Sequence, residues 1–373
     1  MKMLDEFRDP NLAMKLVESI QALAKRRWTI MEVCGGQTHG LLRHGIDEEL
    51  KDVVELLHGP GCPVCVTPSI AIDHAIKLAS QPGFLLATFG DMLRVPGSSI
   101  SLLHSQAQGA NVQMVYSPLD AVKLAQERPG TQVVFLAVGF ETTAPATALA
   151  VLQADALGLD NFSVLSAHVR VEPAMEAIVK AADCRVNGFL AAGHVCTITG
   201  YRSYQVFARR YRTPIVVTGF EPVDLLDGIH RCVQLLEADS PQVVNAYARI
   251  ATCEGNPNAL ELLERVFDVG DRAWRGLGLM PNGGLQLKSK YVGYDAVARF
   301  GLSNRCEAHA EECQSGAVMS GKILPPQCPH FGSRCTPASP LGAPMVSTEG
   351  ACSAYYRYTG LGARSHERRE IVI

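Results

Sequence analysis

Between residues 28 and 217, short apolar runs alternate with helical stretches, and this alternation constrains the fold more than any other feature of the chain. Runs at 28–33, 53–57, 84–89, 112–116, 132–138, 162–165, 188–191 and 214–217 have strand length and carry mainly aliphatic and aromatic residues. Stretches such as 70–79, 119–127, 142–157 and 173–182 between them have helical character. Repeated strand–helix alternation implies parallel sheets with helices over both faces. Upstream, Pro10-Asn11 opens a further amphipathic helix with Leu16, Val17, Ile20, Leu23 and Ala24 on one face. A chain of 373 residues has room for two or three domains with proper cores. The expected architecture is α/β: an N-terminal helix in 1–29, α/β domains at 30–130 and 131–240, and a loop-rich, mainly helical domain at 241–373. The N-terminal helix is expected to pack on the last of these.

Two segments, Val138-Gly139-Phe140-Glu141-Thr142 and Thr218-Gly219-Phe220-Glu221-Pro222, echo each other, each following a strand and opening a helix. Glycine suits that tight turn and an acid suits the helix N-terminus, so both read as structural punctuation.

Composition excludes several classes. Charge is nearly balanced, with 34 basic and 37 acidic residues, so no nucleic-acid partner is indicated. Arginines and aromatics interleave from Tyr201 to Arg212, which reads as the solvated face of an amphipathic helix. The longest apolar run, at 133–140, is too short to span a bilayer, and residues 1–9 lack the apolar stretch of a signal peptide. A cytoplasmic protein is expected. Twelve cysteines in a reducing compartment then argue for metal or redox chemistry rather than a disulfide scaffold.

Cys34 sits at the end of the first strand, before Gly35-Gly36-Gln37-Thr38-His39. The strand C-terminal edge is where open α/β sheets bind ligands. The glycines permit close backbone approach and amide N–H groups aimed at the sulfur, which would favour thiolate. His39 is near enough in sequence to be a second ligand or a proton partner. His58-Gly59-Pro60-Gly61-Cys62-Pro63-Val64-Cys65 places a C-x-x-C at another strand-to-helix turn. That arrangement suits a thiol–disulfide pair, and half of a zinc site is the competing reading.

Downstream, Cys313-x₁₄-Cys328-x₆-Cys335-x₁₆-Cys352 lies among prolines and glycines and fits no common zinc ribbon. Four irregularly spaced thiolates suit an iron–sulfur cubane, with structural zinc as the alternative. A segment so poor in apolar residues needs a metal to hold it together. Cys184, Cys196, Cys232 and Cys253 read as small buried apolar residues; Cys306 has no assigned role.

Read together, these segments resemble the HypD family of hydrogenase maturation factors. The carrying motifs are Glu32-Val33-Cys34-Gly35-Gly36, His58-Gly59-Pro60-Gly61-Cys62-Pro63-Val64-Cys65, Thr88-Phe89-Gly90-Asp91-Met92-Leu93-Arg94-Val95-Pro96-Gly97 and Tyr116-Ser117-Pro118. Gly139-Phe140-Glu141-Thr142-Thr143, Gly193-His194-Val195, Gly219-Phe220-Glu221-Pro222, Cys328-Pro329-His330-Phe331-Gly332 and the stretch from Met345 to Cys352 continue the match. The resemblance implies two α/β domains plus an iron–sulfur domain, and a role in building the Fe(CN)₂CO group of [NiFe] hydrogenases. It implies a HypC-like chaperone and a HypE-like cyanide donor as partners. Cys34 would hold the iron jointly with the chaperone, with His39 nearby, and Cys62 and Cys65 would be the redox pair. Cys313, Cys328, Cys335 and Cys352 would hold a [4Fe-4S] cluster. The rival reading is a free-standing iron–sulfur thiol–disulfide oxidoreductase. Two positions depart from the family pattern: Gln37 stands where histidine is usual, and Ser315 where a cysteine commonly precedes the glycine. Cys313, two residues earlier, is the expected first cluster ligand.

Overall fold

The computed structural model of the chain describes residues 5–302 and 312–360. All eight expected strands form: β1 (Trp28–Glu32), β2 (Val54–His58), β3 (Phe84–Thr88), β4 (Val112–Met114), β5 (Gln132–Gly139), β6 (Phe162–His168), β7 (Gly188–Ala192) and β8 (Ile215–Thr218). With β9 (Val243–Asn245) they build two wholly parallel sheets, ordered β2-β1-β7-β8-β9 and β4-β3-β5-β6. The protein is an α/β structure, as the alternation requires.

The sheets interleave along the chain. The first takes β1 and β2, then β7 to β9; the second takes the four strands between. A cut at residue 130 therefore does not separate them, since 30–130 and 131–240 each supply strands to both. Local alternation specifies strands but not partners, and β1 finds its second neighbour in β7, with Ile30 opposite Gly188.

Both sheets are covered on two faces. In the second, Leu85, Ala87, Val133 and Phe135 face one core while Leu86, Val134 and Leu136 face another. In the first, Ile30, Leu190 and Val216 face one side and Met31, Phe189, Ala191 and Val217 the other. This is the period-two alternation of a strand buried on both faces.

The N-terminal helix Pro10–Leu23 packs elsewhere than expected. Its buried Ala13, Val17 and Ile20 join Ile30, Val216, Ile229 and Val233, so it lies on the first sheet and the helix Pro222–Glu237. An apolar face of that size is met by those aliphatics rather than by the cysteine-rich segment.

Sequence periodicity also missed a hairpin, β10 (Phe267–Trp274) with β11 (Gly278–Leu287). Its register shifts between Gly270 and Arg272, and β11 contains Pro281 and adjacent glycines, which break the alternation that marks a strand. Trp274 returns to the core shared by Phe140 and Met31, joining the hairpin to the body. On the helix Arg202–Tyr211, Tyr204 and Phe207 are buried and Arg209 and Arg210 exposed, as for a solvated amphipathic helix. Among the described residues no helix is long and apolar enough to cross a membrane.

Candidate functional site

The first sheet places four residues along its C-terminal edge: Cys34 after β1, His58 at the end of β2, His194 after β7 and Phe220 after β8. Cys34 has extended backbone and is the N-cap of the helix Gly35–Arg43, and only 3% of it is exposed. His194 Nδ1 lies 3.6 Å from Cys34 Sγ, and its ring rests on Phe220 with centroids 5.2 Å apart. Burial pushes the His194 imidazole down to about 4, so the ring beside the sulfur is neutral. For Cys34 itself, burial pushes the thiol well above its ordinary range. The amides of Gln37 and Gly36 do favour thiolate, as their placement suggests, but burial outweighs them and the charges of Glu32 and Glu349 add to it. A cation at the sulfur would oppose burial and favour the thiolate.

Beneath Cys34 runs a buried polar chain. Glu32 Oε2 accepts the Cys34 N–H at 2.7 Å, and Glu32 Oε1 accepts from the Thr38 hydroxyl. Parallel register sets Glu32 opposite His58, whose Nδ1 lies 2.9 Å from Glu32 Oε1. His58 Nε2 then meets the Tyr355 hydroxyl at 3.1 Å. Tyr355 belongs to the helix Ala351–Tyr358, which also carries Cys352. Three residues on, the Tyr358 hydroxyl meets His39 Nε2 at 3.0 Å. His39 is thus turned to the C-terminal helix, and the histidine at Cys34 is His194.

Gln37 is fully buried, its Nε2 donating to the Ala191 and Thr218 carbonyls at 3.1 and 3.3 Å. It ties the ends of β7 and β8 together.

Cys62 and Cys65 are joined as a disulfide, with Cα atoms 5.2 Å apart, across the single turn Pro63–Val66. Both are buried in one core with Cys34, Met31, Leu57 and Phe140. The turn lies against Cys34 because Gly61 has no side chain: a Cβ there would fall 2.1 Å from Cys34 N. In addition, Gly35 N–H donates to the Gly61 carbonyl at 3.1 Å.

Cys313, Cys328, Cys335 and Cys352 all line one recess, whose other walls include Val318, His330, Phe331, Leu341 and Met345. Burial pushes the Cys352 thiol up, and the neighbouring Cys313, Cys335 and Cys328 push it further in the same direction. The Leu341 N–H donates to Cys335 Sγ at 3.4 Å. Gly342 leaves the space that Cys313 Sγ fills, since a Cβ would lie 2.2 Å from it. Four soft donors in an apolar recess, one already taking an amide hydrogen bond, fit an iron–sulfur cluster. Among the described residues, no group of three or more His, Cys, Asp or Glu is already gathered closely enough to hold a metal ion.

This segment is seated on both sheets. Ala343 and Val346 enter a core of the second, Arg94 donates to the Val346 carbonyl at 3.1 Å, and Ala354 and Tyr355 pack on Leu42 beside the first. Cys196 and Cys232 are buried, Cys184 and Cys253 half-buried, and Cys306 lies outside the described residues.

Glu32, His58 and His194 stand within the motifs that carry the resemblance but were given no role from sequence, and Tyr355 and Tyr358 were not singled out. His194 carried a usable signal, since Gly193-His194 follows a buried strand just as Gly219-Phe220 does. Tyr355 carried only its spacing of one turn from Cys352.

Comparison with known proteins accords with this arrangement. Residues 11–359 match the family HypD, described as "Hydrogenase formation hypA family". The hydrogenase maturation factor HypD of Azotobacter vinelandii is 46% identical over 367 residues, covering 96% of this chain and 97% of the relative. HypD of Escherichia coli strain K12 is 43% identical, covering 96% and 98%, and HypD of Rhodobacter capsulatus is 43% identical, covering 97% and 100%. With its α/β sheets, its Cys34 edge and near full-length similarity, the chain belongs to the HypD family.

Proposed function

We propose that this chain serves hydrogenase maturation as the scaffold and electron donor on which the Fe(CN)₂CO group is assembled, together with a HypC-like chaperone and a HypE-like cyanide donor. The observation that carries this reading is the seating of the Cys62–Cys65 turn against Cys34 through Gly61. An iron-binding thiol and a two-electron thiol pair then share one buried core.

The iron is the cargo. Cys34 Sγ is its soft anchor, and such a donor suits iron carrying strong-field ligands. His194 holds a neutral nitrogen beside that sulfur. Glu32 fixes the Cys34 backbone through its N–H. Delivering cyanide from a thiocyanate group breaks an S–C bond and takes two electrons and one proton, leaving a thiol and cyanide. The Cys62/Cys65 dithiol supplies two electrons and two protons as its S–S bond forms, so one proton is released overall. A [4Fe-4S] cluster held by Cys313, Cys328, Cys335 and Cys352 would supply electrons singly to return the disulfide to the dithiol. Twelve cysteines accord with a reducing compartment, the cytoplasm.

The test is anaerobic co-expression with a HypC-like protein. The wild type is expected to co-purify with it and carry iron, and Cys34→Ala to lose that iron. A chain that purifies alone and reduces generic disulfides equally well with Cys34→Ala would be a free-standing oxidoreductase and would refute the scaffold reading.

A further inference from the structure

Ser315 lines the same recess as the four cysteines. It is 1% exposed, and its Oγ meets no hydrogen-bond partner among the described residues. A buried hydroxyl left without a partner is uncommon in a folded chain and calls for a missing one. Three features restrict what that partner is. The remaining walls are Gln314, Val318, His330, Phe331, Leu341 and Met345, and neither Gln314 nor His330 hydrogen-bonds to the Ser315 Oγ. The sulfurs of Cys313, Cys328, Cys335 and Cys352 surround the same space. One of them, Cys335 Sγ, already accepts the Leu341 N–H, so the recess supplies donors to sulfur by design of its backbone.

We infer that the Ser315 hydroxyl donates a hydrogen bond to a sulfur of the cluster bound in this recess and thereby raises its reduction potential. This rests on the iron–sulfur reading above. Adding an electron increases the negative charge spread over the sulfurs, so an O–H donor stabilises the reduced form more than the oxidised one. Serine at this position therefore acts as an electronic trim rather than a ligand, leaving the fourth thiolate to Cys313.

The experiment is a redox titration of anaerobically purified wild type, Ser315→Ala and Ser315→Thr, followed by electron paramagnetic resonance, with iron and sulfide measured on each. Ser315→Ala is expected to keep its iron while its equilibrium constant for one-electron reduction falls about tenfold, or about 59 mV. Ser315→Thr, which keeps the hydroxyl, is expected to stay near wild type. An unchanged potential in iron-replete Ser315→Ala overturns the inference. So does loss of iron from Ser315→Ala alone, which would make the hydroxyl a ligand. A wild type without iron and sulfide defeats the cluster reading itself, which separates the two failures.

Discussion

His58 Nε2 lies 3.1 Å from the Tyr355 hydroxyl, and this contact joins the strand end beneath Cys34 to the helix that carries Cys352. Through Glu32 it continues to the Cys34 N–H, so the Cys34 backbone and the cysteine-rich segment are held by one buried chain.

Replacing Tyr355 with Phe removes the hydroxyl and leaves His58 Nε2 buried without that partner. We expect a loss of about 1–3 kcal/mol in urea unfolding. Alkylation of Cys34, followed by mass spectrometry of its peptide, is expected to speed up as its N-cap loosens. Wild-type values for both would mean that the chain does not support Cys34.

Gly342→Ala sets a methyl where Cys313 Sγ sits, 2.2 Å away. The expected result is loss of most cluster iron and sulfide. Gly130 has open space around its Cβ position, so Gly130→Ala is the control and keeps both. Equal iron in the two variants would show that Cys313 need not occupy its present place.

Cys313→Ala is expected to abolish cluster iron, and Cys306→Ala to leave it unchanged. The reverse pattern would move the first ligand to Cys306.

Glu141 is buried, with one carboxylate oxygen accepting the Val171 N–H at 3.2 Å and the other without a partner among the described residues. Burial pushes its pKa up from 4.5 to about 7. A raised folded-state pKa contributes stability that is fully present below the unfolded value and is lost as pH rises through the folded one. Relative to Glu141→Gln, which stays neutral, the wild type should therefore lose about 3 kcal/mol between pH 4.5 and 8. Parallel urea-stability profiles for the two proteins would contradict this.

Most of the parallel strands were legible because they are apolar runs buried on both faces, which stand out against their helices, whereas the half-buried β9 was not read. Pairing was not legible: nothing local to Ile30 says that Gly188 lies beside it. The β10–β11 hairpin was hidden by its bulge and its glycines. At the site, the cysteines were visible as a set because sulfur in turns is unusual. Their neighbours were not, since His58 and Tyr355 are 297 positions apart and meet only through tertiary packing. The adjacency of His39 to Cys34 in sequence was misleading for a helical reason: along the helix Gly35–Arg43 it faces Tyr358, while His194 arrives from another strand.

The most direct test is the visible spectrum and the iron and sulfide content of anaerobically purified wild type beside Cys328→Ala. A brown wild type with about four iron and four sulfide per chain is expected, both lost in the variant. A colourless wild type holding a single zinc would contradict it, because the Cys62–Cys65 pair would then have no resident source of electrons.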